Sequence, residues 1–160
     1  MILGMTVFTF VHVLISLVGI LSGLAVLHGL LNSRRLDGWT LTFLVFTLAT
    51  SVTGFFFPFH GVTPAITLGI LSLIVLAPTF AARYAFALRG AWRAVYAIGA
   101  VVALYFNCFV LVVQLFLKVP ALHALAPTGT ETPFKLAQGA LLVFFAVTGW
   151  LALRRFHPRG

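Results

Sequence analysis

Long apolar runs alternate with short polar breaks along the chain. The runs occupy about residues 5–31, 39–58, 64–88, 91–118 and 134–153. Each is long enough to cross a hydrocarbon core of roughly 30 Å at about 1.5 Å of helical rise per residue. A backbone surrounded by lipid must form its hydrogen bonds within its own segment, so each run is predicted to be an α-helix. We therefore predict an all-α integral membrane bundle of five transmembrane helices, with one domain over residues 1–160.

Proline and glycine mark the breaks between these runs. Pro64 and Pro133 fit the first turns of the third and fifth runs, where a missing amide hydrogen costs nothing. Pro78 lies inside the third run and is predicted to kink its helix, freeing a carbonyl one turn earlier. The longest break, residues 118–135, contains VPALHALA. This segment forms either a short helix on the membrane surface or a flexible tether.

The composition excludes a soluble globular protein. With 62% hydrophobic residues, 8% charged residues and a mean hydropathy of +1.16, the chain has too much apolar surface for one water-exposed core. The opening residues carry no Lys or Arg, and no small-residue cleavage site precedes a polar segment. We therefore expect the first run to be a retained span and not a cleaved signal peptide.

The basic residues predict the orientation of the bundle. In a five-span arrangement eight arginines lie near one side and the two lysines, Lys118 and Lys135, lie near the other. Because Lys and Arg are enriched in cytoplasmic loops, the N-terminus is predicted outside and the C-terminus in the cytoplasm. A four-span arrangement would divide the charges less cleanly. We expect a bacterial cytoplasmic (inner) membrane. The net charge of +8 serves topology, and no nucleic-acid partner is expected, because neither a basic face nor a reading helix is present. The arginines are Arg34, Arg35, Arg83, Arg89, Arg93, Arg154, Arg155 and Arg159.

A polar stripe runs along the fourth run. Gln114 and Lys118 each lie about 20° from Asn107 around a helix, on either side of it, so all three share one face. Polar side chains inside a membrane normally face the bundle interior. The stripe is therefore predicted to face other helices, with Lys118 reaching the interface.

Other polar residues fall at similar depth in the predicted outer half of the membrane. His12, Ser51 and Gln138 join the stripe as candidate ligand-binding residues, together with Asn107, Gln114 and Lys118. On the first run His12 is followed at helical spacing by Ser16, Gly19 and Gly23, and the last two form a GxxxG pair. Ser16, Gly19 and Gly23 are predicted to mediate close helix packing.

The acidic residues and histidines are poorly placed for catalysis or metal binding. The only carboxylates, Asp37 and Glu131, are predicted on opposite sides of the membrane, which excludes a carboxylate pair. The histidines do not pair in depth, so we expect neither a metal site nor a cofactor, with haem b kept as an alternative. Cys108 is expected to pack as a small apolar side chain.

Three functional hypotheses follow. The first is a membrane protein without evident catalysis, which holds a small apolar or amphipathic ligand, or a partner helix, in a polar cavity. The second is an accessory or assembly subunit of a homo-oligomer or larger membrane complex, in which the intramembrane amides serve only as helix contacts. The third is an electron carrier with haem b. The aromatic segment GFFFPFHG, residues 54–61, is either a lip for the ligand or ordinary helix-end packing.

Overall fold

The structure, a computed structural model, describes residues 4–159 and is helical throughout. Residues 1–3 and 160, the ends of the predicted domain, lie outside that range. The helices are α1 (Val7–Leu31), α2 (Asp37–Gly54), α3 (Pro64–Phe80), α4 (Trp92–Lys118), α5 (Pro120–Leu125) and α6 (Thr132–Arg155). A π-helical turn, Ala81–Ala85, continues α3. Residues 4–159 contain no β-strand, so the all-α prediction is confirmed.

Four helices in the described range are long and apolar enough to cross a membrane: α1, α3 with its π turn, α4 and α6. They support the prediction of an integral membrane protein. The helix α2 is not among them, because its 18 residues begin with Asp37 and include six Thr or Ser side chains. Four of the five predicted spans are therefore supported by length and apolarity, and α2 is not.

Two helix ends differ from the predicted bounds by more than two residues. The helix α2 ends at residue 54 and not 58, since Pro58 disfavours helical geometry at the residue before it. The α-helical part of α3 ends at Phe80 and not 88. Pro78 lies inside α3, and the backbone widens into the π turn three residues later. The segment at 120–125, for which the sequence left two alternatives, is the short helix α5.

The helix α4 is the centre of the bundle, because it packs against α1, α2, α3 and α6. The cluster of buried apolar side chains lies where the second halves of α1, α3 and α6 meet the first halves of α2 and α4. These side chains include Leu30, Leu44, Ala97, Leu104 and Phe156. The hydrophobic core is therefore concentrated toward one end of the helices.

Hydrogen bonds and ion pairs join the arginine-bearing segments at that same end. Arg83 of the π turn and Arg35 both pair with Asp37 at the start of α2. Arg93, at the start of α4, donates to the carbonyl oxygens of Leu153 (3.1 Å) and Phe156 (2.6 Å) at the end of α6. We call this end of the bundle the arginine end.

Glycines allow α1 to approach its neighbours closely. A methyl group on Gly23 would come within 2.6 Å of Leu104 of α4 and 2.9 Å of Phe43 of α2. A methyl group on Gly19 would touch Thr47 of α2 at 3.5 Å. Ser16 instead donates to the carbonyl of His12 within α1 (2.8 Å). Both glycines of the GxxxG pair thus lie at helix contacts.

Glu131 closes the loop between α5 and α6. Its carboxylate accepts hydrogen bonds from the amide (3.1 Å) and hydroxyl (2.8 Å) of Thr128 and from the amide of Thr130 (3.0 Å). Desolvation alone would raise the pKa of Glu131, but these hydrogen bonds outweigh it and lower the pKa to about 2. The loop is therefore held by an ionised carboxylate at neutral pH.

The stability of this loop should depend on pH. Because the pKa of Glu131 is lowered from 4.5 to about 2 on folding, its contribution is complete above pH 4.5 and disappears as the pH falls toward 2. The protection of the amides of Thr128 and Thr130 against hydrogen exchange, measured relative to the intrinsic rate at each pH, should therefore fall in that window. In the variant Glu131→Gln this protection should be lower at pH 7 and should no longer depend on acid. Identical exchange in both proteins at pH 5 would contradict this role of the carboxylate.

Candidate functional site

Asn107 lies in the contact between α2 and α4. It is 9% exposed, and its side-chain nitrogen donates to the hydroxyl of Thr47, which is 0% exposed, at 3.0 Å. One turn further along α2, the buried Ser51 donates to the carbonyl of Thr47 (3.0 Å). Such hydrogen bonds between membrane helices contribute about 0.6 to 2 kcal/mol each. The Asn107 amide is thus engaged by a neighbouring helix.

His12 lies in a second contact, between α1 and α2. Its Nδ1 is 2.7 Å from the hydroxyl oxygen of Thr53, which also lies 2.7 Å from the carbonyl oxygen of Ala49. A hydroxyl has one hydrogen, and when it is donated to Ala49 the imidazole must donate from Nδ1. The imidazole also packs edge-to-face with the ring of Phe57, with 4.9 Å between centroids. The contacts with Thr53 and Phe57 therefore both hold the orientation of the His12 ring.

Gln138 lies in a third contact, between α4 and α6. Its side-chain nitrogen donates to the carbonyl oxygen of Phe109 at 3.2 Å. Its side-chain oxygen is buried and accepts no hydrogen bond from any described residue. The structure thus places Asn107, His12 and Gln138 in three separate helix contacts and does not gather them around one space.

Gln114 and Lys118 are exposed at the end opposite to the arginines. Gln114 lies two turns, about 10 Å, beyond Asn107 on the same face of α4. The partner of Asn107, Thr47, is followed by about 10 Å of helix before α2 ends at Gly54. Gln114 therefore projects at the level where α2 stops, and this explains why it is open while Asn107 is buried. We call the exposed Gln114, Lys118 and the aromatic segment at residues 55–59 the rim.

The aromatic segment presents apolar surface beside the end of α2. Phe56 is 71% exposed and Phe59 is 48% exposed. Phe57 instead packs against His12 and against Phe8, both of α1. The segment is thus anchored to α1 through one ring while others remain open. The contacts of Phe57 thus agree with helix-end packing, and the exposed Phe56 and Phe59 agree with an open lip.

A polar network at the arginine end was missed by sequence reasoning. Arg83 is buried, with 4% of its side chain exposed, and pairs with Asp37, whose side chain is 74% exposed. The guanidinium carbon lies 5.7 Å from the ring centroid of Tyr96, whose hydroxyl is 2.9 Å from that of Thr40. One guanidinium nitrogen, Nη1, has no hydrogen-bond partner among the described residues. The available signal was the position of Arg83, because Arg83 and Arg93 are the two arginines inside predicted apolar runs and Arg83 lies the farther of the two from an end of its run.

The remaining titratable residues do not assemble into a metal site. Over residues 4–159, no group of three or more His, Cys, Asp or Glu side chains is placed to hold an ion. His60 and His123 are exposed and belong to different connections, and Cys108 is partly buried within α4. The chemistry that the described residues offer is hydrogen bonding, charge pairing and apolar contact.

Comparison of the chain with protein-family models, with curated proteins and with solved structures found no match. Two sets of polar groups stand out in the described residues. Gln114 and Lys118 of the rim are exposed, and the buried Arg83 has a guanidinium nitrogen without a hydrogen-bond partner.

Proposed function

We propose that the protein is a five-span membrane protein without catalytic activity that holds a small amphipathic ligand at its rim. The proposal requires α2 to be a span. Its 18 residues extend about 27 Å, close to the roughly 30 Å of a hydrocarbon core. Its first turn pairs with Arg83 at the arginine end, and its last turn contacts His12 near the opposite end of α1. These contacts support a helix that runs the length of the bundle.

The hydroxyl groups of α2 are compatible with such a path. Thr42, Thr50, Ser51 and Thr53 each donate to a carbonyl oxygen four residues earlier in the same helix. A hydroxyl satisfied in this way presents little unmet polarity to lipid. The free energy of inserting α2 into a membrane is therefore less unfavourable than its low average hydropathy indicates.

The rim belongs to the outer face in the proposed orientation. Contacts join Arg35, Arg83 and Arg93 at the arginine end, and arginine-rich ends favour the cytoplasmic side. The opposite end then faces outward, with Gln114, Lys118 and the short helix α5. A bacterial inner membrane is the location that we propose.

The observation that carries the ligand proposal is the exposed amide of Gln114, two turns above the buried and bonded Asn107. An amide can both donate and accept a hydrogen bond, and the ammonium group of Lys118 lies one turn beyond it. The exposed rings of Phe56 and Phe59 offer apolar contact at the same end of the bundle. This combination fits a molecule with an anionic head and one apolar tail, such as a fatty acid.

Replacing Gln114 by leucine should weaken fatty-acid binding about 2- to 10-fold, the effect of losing one hydrogen bond. Binding can be measured as the fluorescence of a dansyl-labelled fatty acid titrated into the purified protein in detergent. The control is Leu115→Ala, which changes an exposed neighbour on another face of α4. Unchanged affinity in Gln114→Leu, or an equal loss in Leu115→Ala, would contradict the rim as the binding site.

A second candidate function is an accessory subunit whose partner helix covers the same amide. The exposed Gln114 favours it too, because an amide at a lipid-facing position gains from a partner in a neighbouring helix. Gentle purification distinguishes the two: co-purification with a larger complex supports the subunit, and a lone protein that retains a small molecule supports the ligand. A Soret band in the absorbance spectrum would instead support haem b.

A further inference from the structure

Two apolar grooves flank α4 near the arginine end. The groove between α3 and α4 has a volume of about 510 Å³ and is lined by residues that include Pro78, Ala91 and Val95. The groove between α4 and α6 has a volume of about 210 Å³, and its lining includes Phe145 and Trp150. Ile98 and Val102 line both. The two grooves therefore lie side by side, separated by a ridge formed by these two side chains of α4.

The length of the grooves matches one leaflet of a bilayer. Along α4 the wider groove extends from Ala91 to Val102, which is about 16 Å of helix. Half of a hydrocarbon core is about 15 Å thick. Both grooves open on the outer surface of α3, α4 and α6, three of the helices that are long and apolar enough to cross a membrane. The wider groove is therefore long enough for one acyl chain of the leaflet at the arginine end. The narrower groove extends from Phe145 to Leu153 along α6, about 12 Å, which covers most of that leaflet.

Free positive charges stand at the ends of both grooves. Arg89 precedes the wider groove by two residues, and Arg154 directly follows Leu153, which lines the narrower one. The guanidinium of Arg154 lies 4.5 Å from the ring centroid of Trp150, in the wall of that groove. The ion pairs in the described part of the chain involve Arg35, Arg83 and Asp37 only, so Arg89 and Arg154 have no carboxylate there. These guanidinium groups are available to an external anion.

We propose that one anionic phospholipid binds at this place. Its two acyl chains occupy the grooves on either side of Ile98 and Val102, and its phosphate lies between the exposed side chains of Arg89 and Arg154. Guanidinium groups form strong, bidentate hydrogen bonds with phosphate oxygens. Arg93 holds the base of the site together, because it bonds α4 to the last turn of α6.

Charge favours a lipid over a second copy of the chain. Each copy carries a net charge of +8, and eight arginines account for most of it. A copy packed in the same orientation against these grooves would bring its own arginine end to Arg89 and Arg154. Such like-charge contacts are unfavourable at an interface. An anionic head group instead neutralises both arginines.

The first test removes the charges. The protein is equilibrated with mixed vesicles of phosphatidylglycerol and phosphatidylcholine, extracted gently, and its retained lipid is counted by native mass spectrometry. We expect phosphatidylglycerol to be retained at least 5-fold over phosphatidylcholine, and the preference to disappear in the double variant Arg89→Ala/Arg154→Ala. The control Arg34→Ala/Arg159→Ala removes two exposed arginines outside the grooves and should keep the preference.

The second test fills the grooves. Ile98 lines both grooves and is 47% exposed, and Ile70 lines neither and is also 47% exposed. Ile98→Trp should reduce the retained phosphatidylglycerol at least 5-fold, and Ile70→Trp should leave it unchanged. Gln114→Leu should also leave it unchanged, because the rim lies at the other end.

Three results would overturn the proposal. The first is equal retention of both lipids by the unmodified protein. The second is an equal loss in the control variants. The third is a dimer that is lost in Ile98→Trp, because a second copy would then occupy the grooves.

Discussion

Replacing Gly99 by alanine is expected to force α3 away from α4 and to lower the free energy of unfolding by about 1 to 3 kcal/mol. A methyl group on Gly99 would overlap the hydroxyl oxygen of Thr79 and lie 3.1 Å from its Cβ atom. Thr79 is 0% exposed, and its hydroxyl is held by a 2.7 Å hydrogen bond to the carbonyl oxygen of Val75. The obstacle is close to the backbone of α3 and cannot rotate away freely. Unfolding in mixed detergent, followed by circular dichroism, measures the loss.

Gly139 provides the matched control for this substitution. A methyl group on Gly139 of α6 would meet no atom within 4 Å. Gly139→Ala should therefore leave stability unchanged or raise it by up to about 1 kcal/mol, because alanine is the better helix former. Equal losses in the two variants would mean that close packing between α3 and α4 is not the reason for Gly99.

Replacing Asp37 by alanine is expected to destabilise the arginine end by about 2 to 4 kcal/mol. Removing one partner of a buried pair leaves the other charge uncompensated, and Arg83 is buried with one guanidinium nitrogen already unpaired. The expected loss is smaller than for a fully buried ion pair, because Asp37 is mostly exposed and solvent screens its charge. The same unfolding measurement in detergent gives the value.

The neutral variant Arg83→Met separates the ion pair from local packing. If Asp37 acts by neutralising Arg83, adding Asp37→Ala to Arg83→Met should cost much less than adding it to the unmodified protein. An equal cost in both backgrounds would show that Asp37 stabilises the start of α2 independently of Arg83, for example through the helix dipole.

The helices could be predicted from the sequence because a membrane leaves few choices for an apolar segment. Each apolar run contains one long helix, and Pro64 and Pro133 lie in first turns as expected. The end of α2 was predicted four residues too late because apolarity continues through Phe55–Phe57 while Pro58 already restricts the backbone. Hydropathy thus identified the helices more reliably than their ends.

The partners of the polar side chains could not be predicted in the same way. Helical spacing gives the direction of Asn107 around α4, but not that Thr47 of α2 would meet it. The shared direction of Asn107 and Gln114 also did not imply a shared environment, because α2 ends at the level of Gln114. Which neighbour stops at which level is a property of the packed bundle.

The arginine end shows a similar limit. Charge counting predicted that the arginines share one side, and contacts join Arg35, Arg83 and Arg93 at one end of the bundle. Charge counting treats all arginines as exposed, however, whereas Arg83 is buried against Tyr96. The burial follows from the π turn, which lies at the end of α3 beside the start of α2.

The passage of α2 across the membrane is the claim on which the rim depends, and cysteine labelling tests it most directly. In a Cys108→Ser background, single cysteines replace the exposed Arg34, before α2, or His60, after it. A membrane-impermeant maleimide is added to intact cells. We expect labelling of the cysteine at position 60 from outside, and labelling at position 34 only after the membrane is permeabilised. Labelling of both positions from the same side would show that α2 does not cross, and the rim could not then lie on the outer face as proposed.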